Sequence, residues 1–96
     1  MSGDINKEEL MAIMADKLVL LRKNLKLKQG ELAKKAGNSR QTLSDLESQK
    51  RSMSWNTYLA LLSFFREDNS TNDLLEHFGI YTPELRKYLI SPEQNK

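Results

Sequence analysis

Between Leu10 and Leu25 the apolar residues Leu10, Met14, Leu18, Leu21 and Leu25 return every three or four positions, and no proline interrupts the chain before Pro83. Residues at that spacing share one face of an α-helix. A half-buried strand instead needs alternation at every second residue, and no segment shows it. Leu, Lys, Glu, Ala and Gln dominate the first two-thirds, and these are good helix formers. The sequence therefore reads as all-α, and the remaining question is where each helix starts and stops.

The punctuation divides the chain into five to six helices. Asn6 with Glu9 three residues later carries part of a capping-box pattern and opens a helix over about Lys7 to Asn24. A second, short helix covers Gln29 to Ala36, with Leu32, Ala33 and Ala36 facing inward, and Gly37-Asn38 breaks it. Glycine there supplies the left-handed backbone that a helix end needs. Ser39 is a good N-cap for a third helix ending near Ser48. Trp55 to Phe65 forms a fourth, with Trp55, Tyr58, Leu61, Leu62 and Phe65 on one side. Asn69-Ser70-Thr71 starts a fifth, closed by Gly79. Thr82-Pro83-Glu84 opens the last, a cap followed by proline at the first helical position, and it ends near Ile90.

Composition removes several chemistries. The 96 residues include no cysteine and one histidine, His77, so disulfides, thiolate chemistry and multi-histidine metal sites are excluded. No metal or other cofactor is expected. Aliphatic runs reach four residues, Leu18 to Leu21 and Leu59 to Leu62, far short of a membrane span. The N-terminus carries Asp4, Glu8 and Glu9 rather than a basic, then apolar, leader, and a cytoplasmic protein of bacterial or phage type is expected. No enzyme constellation emerges. Glu8/Glu9 and Glu67/Asp68 are sequence neighbours, which reads as solvated charge, and nothing places a nucleophile beside His77. Gly30 lacks the lysine-serine pair of a phosphate loop.

The formal net charge of +2 conceals a partition. Residues 17–54 hold ten lysines and arginines against Glu31, Asp45 and Glu47, whereas the segments on either side are net acidic. A basic middle between acidic ends suits a polyanion, and equally a solvated lysine-rich face.

The third helix separates those readings. At about 100° per residue, Leu43, Leu46 and Glu47 form its inner arc, while Arg40, Ser44, Ser48, Gln41 and Asp45 form one continuous polar face. Arginine forks onto guanine O6/N7, and glutamine bonds adenine N6/N7 with both amide groups. A short serine lets the backbone approach. Asp45 is the odd member: it accepts from cytosine N4, or it orients Arg40 or a neighbouring lysine. Lys28, Lys50 and Arg51 flank the face at both ends, where phosphates of a duplex would lie.

Residues 21–62 resemble the phage-repressor and Cro-like helix-turn-helix family, the XRE type. The matching residues are Leu21-Arg22, Gln29, Glu31-Leu32-Ala33, Gly37, Ser39-Arg40, Leu43, Leu46-Glu47, Lys50 and the apolar set Tyr58, Leu61 and Phe65. The resemblance implies a lambda-repressor-like helical bundle with its helix-turn-helix at 29–48, and binding to operator DNA as a symmetric dimer that represses transcription. It further implies that Gln29 and Ser39 meet backbone phosphates, that Arg40, Gln41, Ser44 and Asp45 face the major groove, and that Lys50 and Arg51 grip the next phosphates, with Lys28 at the opposite end. Arg22 and Glu47 correspond to a family ion pair that joins the first helix to the end of the third. Two positions depart from the pattern. Asn38 stands where an apolar residue is usual, and Gln49 stands where glycine is usual. Gln49 must take an unfavourable backbone or alter the loop that carries Lys50 and Arg51.

This reading divides the chain into a DNA-binding part, residues 1–66, and a C-terminal helical extension, residues 67–96, within one compact domain. The extension holds Leu74, Leu75, Phe78, Ile80, Tyr81, Leu85, Tyr88, Leu89 and Ile90. Leu74 to Phe78 read as added core and Tyr88 to Ile90 as an interface, with Leu10, Met11 and Met14 as a second candidate for partner contact. The function expected is a sequence-specific DNA-binding repressor acting as a homodimer. The alternative is an antitoxin-type module that holds a toxin through the C-terminal helices and regulates its own promoter.

Overall fold

A computed structural model describes residues 5–90. Among these residues six helices follow one another: α1 (Lys7–Asn24), α2 (Gln29–Lys35), α3 (Arg40–Glu47), α4 (Trp55–Phe65), α5 (Asn69–His77) and α6 (Pro83–Ile90). No strand occurs among the described residues. Each start has a chemical cause. Asn6 Oδ1 accepts from the Glu9 N–H, Ser39 Oγ from the Thr42 N–H and Ser54 Oγ from the Thr57 N–H, so an orphan donor is satisfied at each helix entry. At α2 the cap position is Lys28, which has no acceptor, and Glu31 reaches back to the Lys28 N–H instead. The cap of α5 is Asp68 and not the Asn69-Ser70-Thr71 run, which forms the first turn. Asp68 Oδ2 accepts from the Thr71 N–H and from the Ser70 and Thr71 hydroxyls, and these bonds hold its carboxyl below the usual aspartate range.

The helix ends share one device. In each of α1, α2, α3 and α5 the residue two beyond the last helical one is left-handed: Lys26, Gly37, Gln49 and Gly79 have φ of 58°, 73°, 62° and 77°. The next N–H then turns back onto the helix, as with Asn38 onto Ala33 O and Lys50 onto Asp45 O, both at 2.8 Å. These are paired 6→1 and 5→2 closures. Gln49 therefore takes the unfavourable backbone. Lys26 does the same, although nothing in a lysine signals a left-handed backbone.

The core lies where α1 crosses α3, α4 and α5. Leu10, Met14, Leu18 and Leu21 of α1 meet Leu32 and Ala33 of α2, Leu43 and Leu46 of α3, and Tyr58, Leu61, Leu62 and Phe65 of α4 in one cluster. Leu75, Ile80, Tyr81 and Leu85 join the same cluster. Leu10 and Met14, considered for partner contact, are buried in it at 7% and 0% exposure. The reason is that the second half of the chain folds back over the start of α1: Lys7 Nζ lies 5.0 Å from the Trp55 ring and 5.5 Å from the Tyr88 ring. Trp55 is only half-buried and stacks on Tyr58 at 4.7 Å. The Tyr58 hydroxyl donates to Ile80 O, which ties α4 to the turn between α5 and α6.

Candidate nucleic-acid interface

The short helices α2 and α3 pack on each other more extensively than any other pair. Ala33 at the crossing is buried, and its methyl group permits close approach of the two backbones. Leu43 and Leu46 fasten α3 from below, both essentially inaccessible. The inner arc is thereby used up, and the opposite side of α3 must face outward. Ser39, Arg40, Gln41 and Ser48 are exposed, and Ser44 and Asp45 are half-exposed. The face is about 12 Å long for eight residues, and an α-helix with its side chains is about 10–12 Å across, which a B-form major groove about 12 Å wide admits.

Two structures hold this face in place. The first joins α1 to the end of α3. Arg22 Nε donates to Glu47 Oε2 at 2.6 Å and Arg22 Nη2 to Glu47 Oε1 at 3.1 Å. Arg22 Nη1 also donates to Leu27 O at 2.9 Å, and Gln29 Nε2 to Glu47 Oε1 at 2.8 Å. The carboxylate thus receives three hydrogen bonds while its side chain is only 5% exposed, as a buried charge requires. Gln29, assigned to phosphate from the sequence, keeps its amide oxygen and one N–H for other partners. The second structure is the loop after α3. Met53 is buried at 7% and anchors it, and the Lys50 N–H is fixed to Asp45 O. Lys50 and Arg51 consequently stand exposed at one end of the α3 face, while Lys28 is exposed at the N-terminus of α2.

Side chains on the face are not all free. Gln41 Nε2 donates to Asp45 Oδ1 at 2.9 Å, and Arg51 Nη2 stands 3.9 Å from Asp45 Oδ2. The Arg40 stem runs past Gly30, where a Cβ would lie 4.0 Å from Arg40 Cδ. Ser48 Oγ donates to Ser44 O, closing the last turn. The i, i+4 spacing of Gln41 and Asp45 permits this link, but residue type alone does not show that the pair forms. Asn38, which stands where an apolar anchor is usual, is half-buried and donates to Ala36 O.

A buried crossing of two short helices with an outward polar face flanked by cations is the architecture of a helix-turn-helix DNA-binding domain. A helix-turn-helix family model matches residues 18–67, just over half of the chain. The chain belongs to this family, the XRE type of DNA-binding transcription regulators. Neither a curated protein nor a solved structure matches it. Among the described residues no cluster of His, Asp or Glu could hold a metal ion, and no helix is long and apolar enough to cross a membrane.

Proposed function

We propose that the protein is a sequence-specific repressor that binds a palindromic operator in duplex DNA as a homodimer, one α3 per half-site. The observation that carries this reading is the outward face of α3, polar along its whole length and bracketed by Lys28, Lys50 and Arg51. In this reading Arg40, Gln41 and Ser44 contact base edges with Asp45 beside them, and Lys28, Gln29, Ser39, Lys50 and Arg51 contact backbone phosphates. Phosphate contacts fix register, and base contacts supply sequence information. Two-fold symmetry in the protein then demands half-sites about one helical turn apart.

A second reading takes its support from Leu89 and Ile90, which are 40% and 67% exposed at the end of α6. It is an antitoxin-type module that holds a partner protein through its C-terminal helices and binds its own promoter secondarily. Selection from a random duplex library, followed by footprinting, separates the two. A palindromic product protected symmetrically by the isolated protein supports the repressor. A protein that selects a motif only with a partner chain bound supports the module. Selection of no motif under either condition removes both.

A further inference from the structure

Asp45 is the one carboxylate on the outer face of α3, and a carboxylate pointed into a phosphate-lined groove weakens binding. Its contacts account for it. One oxygen accepts from Gln41 Nε2, one turn earlier on the helix, at 2.9 Å. The other faces Arg51 Nη2, in the loop beyond the helix, at 3.9 Å. Although Asp45 belongs to the outer face, its side chain is only 23% exposed. A free glutamine samples many rotamers, and its terminal amide turns over to offer either the oxygen or the NH2 group to a given point. With one N–H held by Asp45, Gln41 offers its remaining N–H and its oxygen in one fixed order. An adenine edge presents the complement, N7 as acceptor and N6 as donor.

We propose that Asp45 is a positioning residue that sets the amide of Gln41, so that Gln41 discriminates adenine at one operator position, and that Arg51 steadies Asp45 in turn. The inference rests on the DNA-binding reading above. It gives the carboxylate a defined trade: affinity for DNA in general is lowered, and discrimination at a single base pair is raised.

The test uses the motif that the wild-type protein selects from a random duplex library, then measures binding to every single-base variant of that motif. Q41A identifies the base pair that Gln41 reads. D45A is expected to lose about tenfold in discrimination at that same base pair, comparable to one good bidentate contact. It is also expected to bind unrelated duplex more tightly than wild type. D45N removes the charge but keeps an acceptor for Gln41. It is expected to retain the discrimination while sharing the tighter general binding. In the Q41A background, D45A is expected to change no base preference further. A D45A profile equal to wild type overturns the inference. So does loss of preference at a different base pair, which makes Asp45 a base contact, and so does an equal loss in D45N and D45A. A wild-type protein that selects no motif removes the DNA-binding reading itself, before any variant is made.

Discussion

Arg22 and Glu47 belong to different helices and meet in a two-bond pair at 2.6 and 3.1 Å, with side chains 12% and 5% exposed. The pair fixes the end of α3 against α1. It also recruits Gln29, so that the start of α2 is bound to the same carboxylate. One acidic group therefore sets three helix positions around the outward face.

Breaking this pair from either side leaves an uncompensated charge in a nearly dry site. Arg22→Ala or Glu47→Ala is expected to cost about 3 kcal/mol of folding stability. Glu47→Gln leaves one acceptor oxygen but sets an NH2 donor against Arg22 and removes the charge, so it is expected to cost a comparable amount. Urea unfolding followed by far-ultraviolet circular dichroism checks both. Equal, small losses in all three variants would show that the pair contributes little.

Gln49 has φ of 62°, in the region where a side chain is disfavoured and glycine is not. Its position is imposed by the closure of α3, since Lys50 bonds back to Asp45 O. Gln49→Gly is expected to stabilise the fold by about 0.5–1 kcal/mol, the relief of left-handed strain being partly offset by the flexibility glycine adds to the unfolded chain. Gln49→Val is expected to destabilise. Melting temperatures of the two variants should move in opposite directions.

Tyr58 is fully buried, and its hydroxyl donates to Ile80 O across 22 residues of chain. Tyr58→Phe leaves that carbonyl without its partner and is expected to cost about 1–2 kcal/mol. Burial also pushes the phenol well above its ordinary value of 10.0. The unfolded chain therefore releases this proton before the folded one does. The contribution is intact below pH 10.0 and is lost as pH rises beyond it. Ultraviolet titration should show one tyrosine that ionises only as the protein unfolds, and Tyr58→Phe should remove that phase.

The helices were legible because period, caps and breakers agreed locally. Asn6, Ser39, Gly37 and Pro83 each act over a few residues, and they mark ends where the structure has them. What escaped depends on residues far apart or on backbone forms that residue type does not announce. Lys26 is left-handed only because Leu27 turns back onto Arg22 O, and nothing in a lysine signals that. Leu10 and Met14 looked available to a partner because no local pattern tells that Trp55 and Tyr88 close over the start of α1. At the interface the polar face could be read by angle alone. The engagement of Gln29 by Glu47 could not, since it needs the crossing of α2 and α3 that places the two side chains together.

The two classes of exposed side chain around α3 should separate in a salt titration. Lys50 stands exposed at the end of the face, and in the DNA-binding reading proposed above it meets phosphate as a charge. Neutralising about six phosphates gives a slope of log affinity against log salt near −5. Lys50→Ala is expected to weaken binding to all duplexes alike and to reduce the slope by about 1. Arg40 opens α3 with its stem passing Gly30, and in the DNA-binding reading proposed above its forked donor meets a base edge. Arg40→Ala is expected to cost about 1–3 kcal/mol on the selected motif, with loss of preference at one base pair. A uniform loss for Arg40→Ala, together with a base-specific loss for Lys50→Ala, would reverse the roles assigned to them and turn α3 around in the groove.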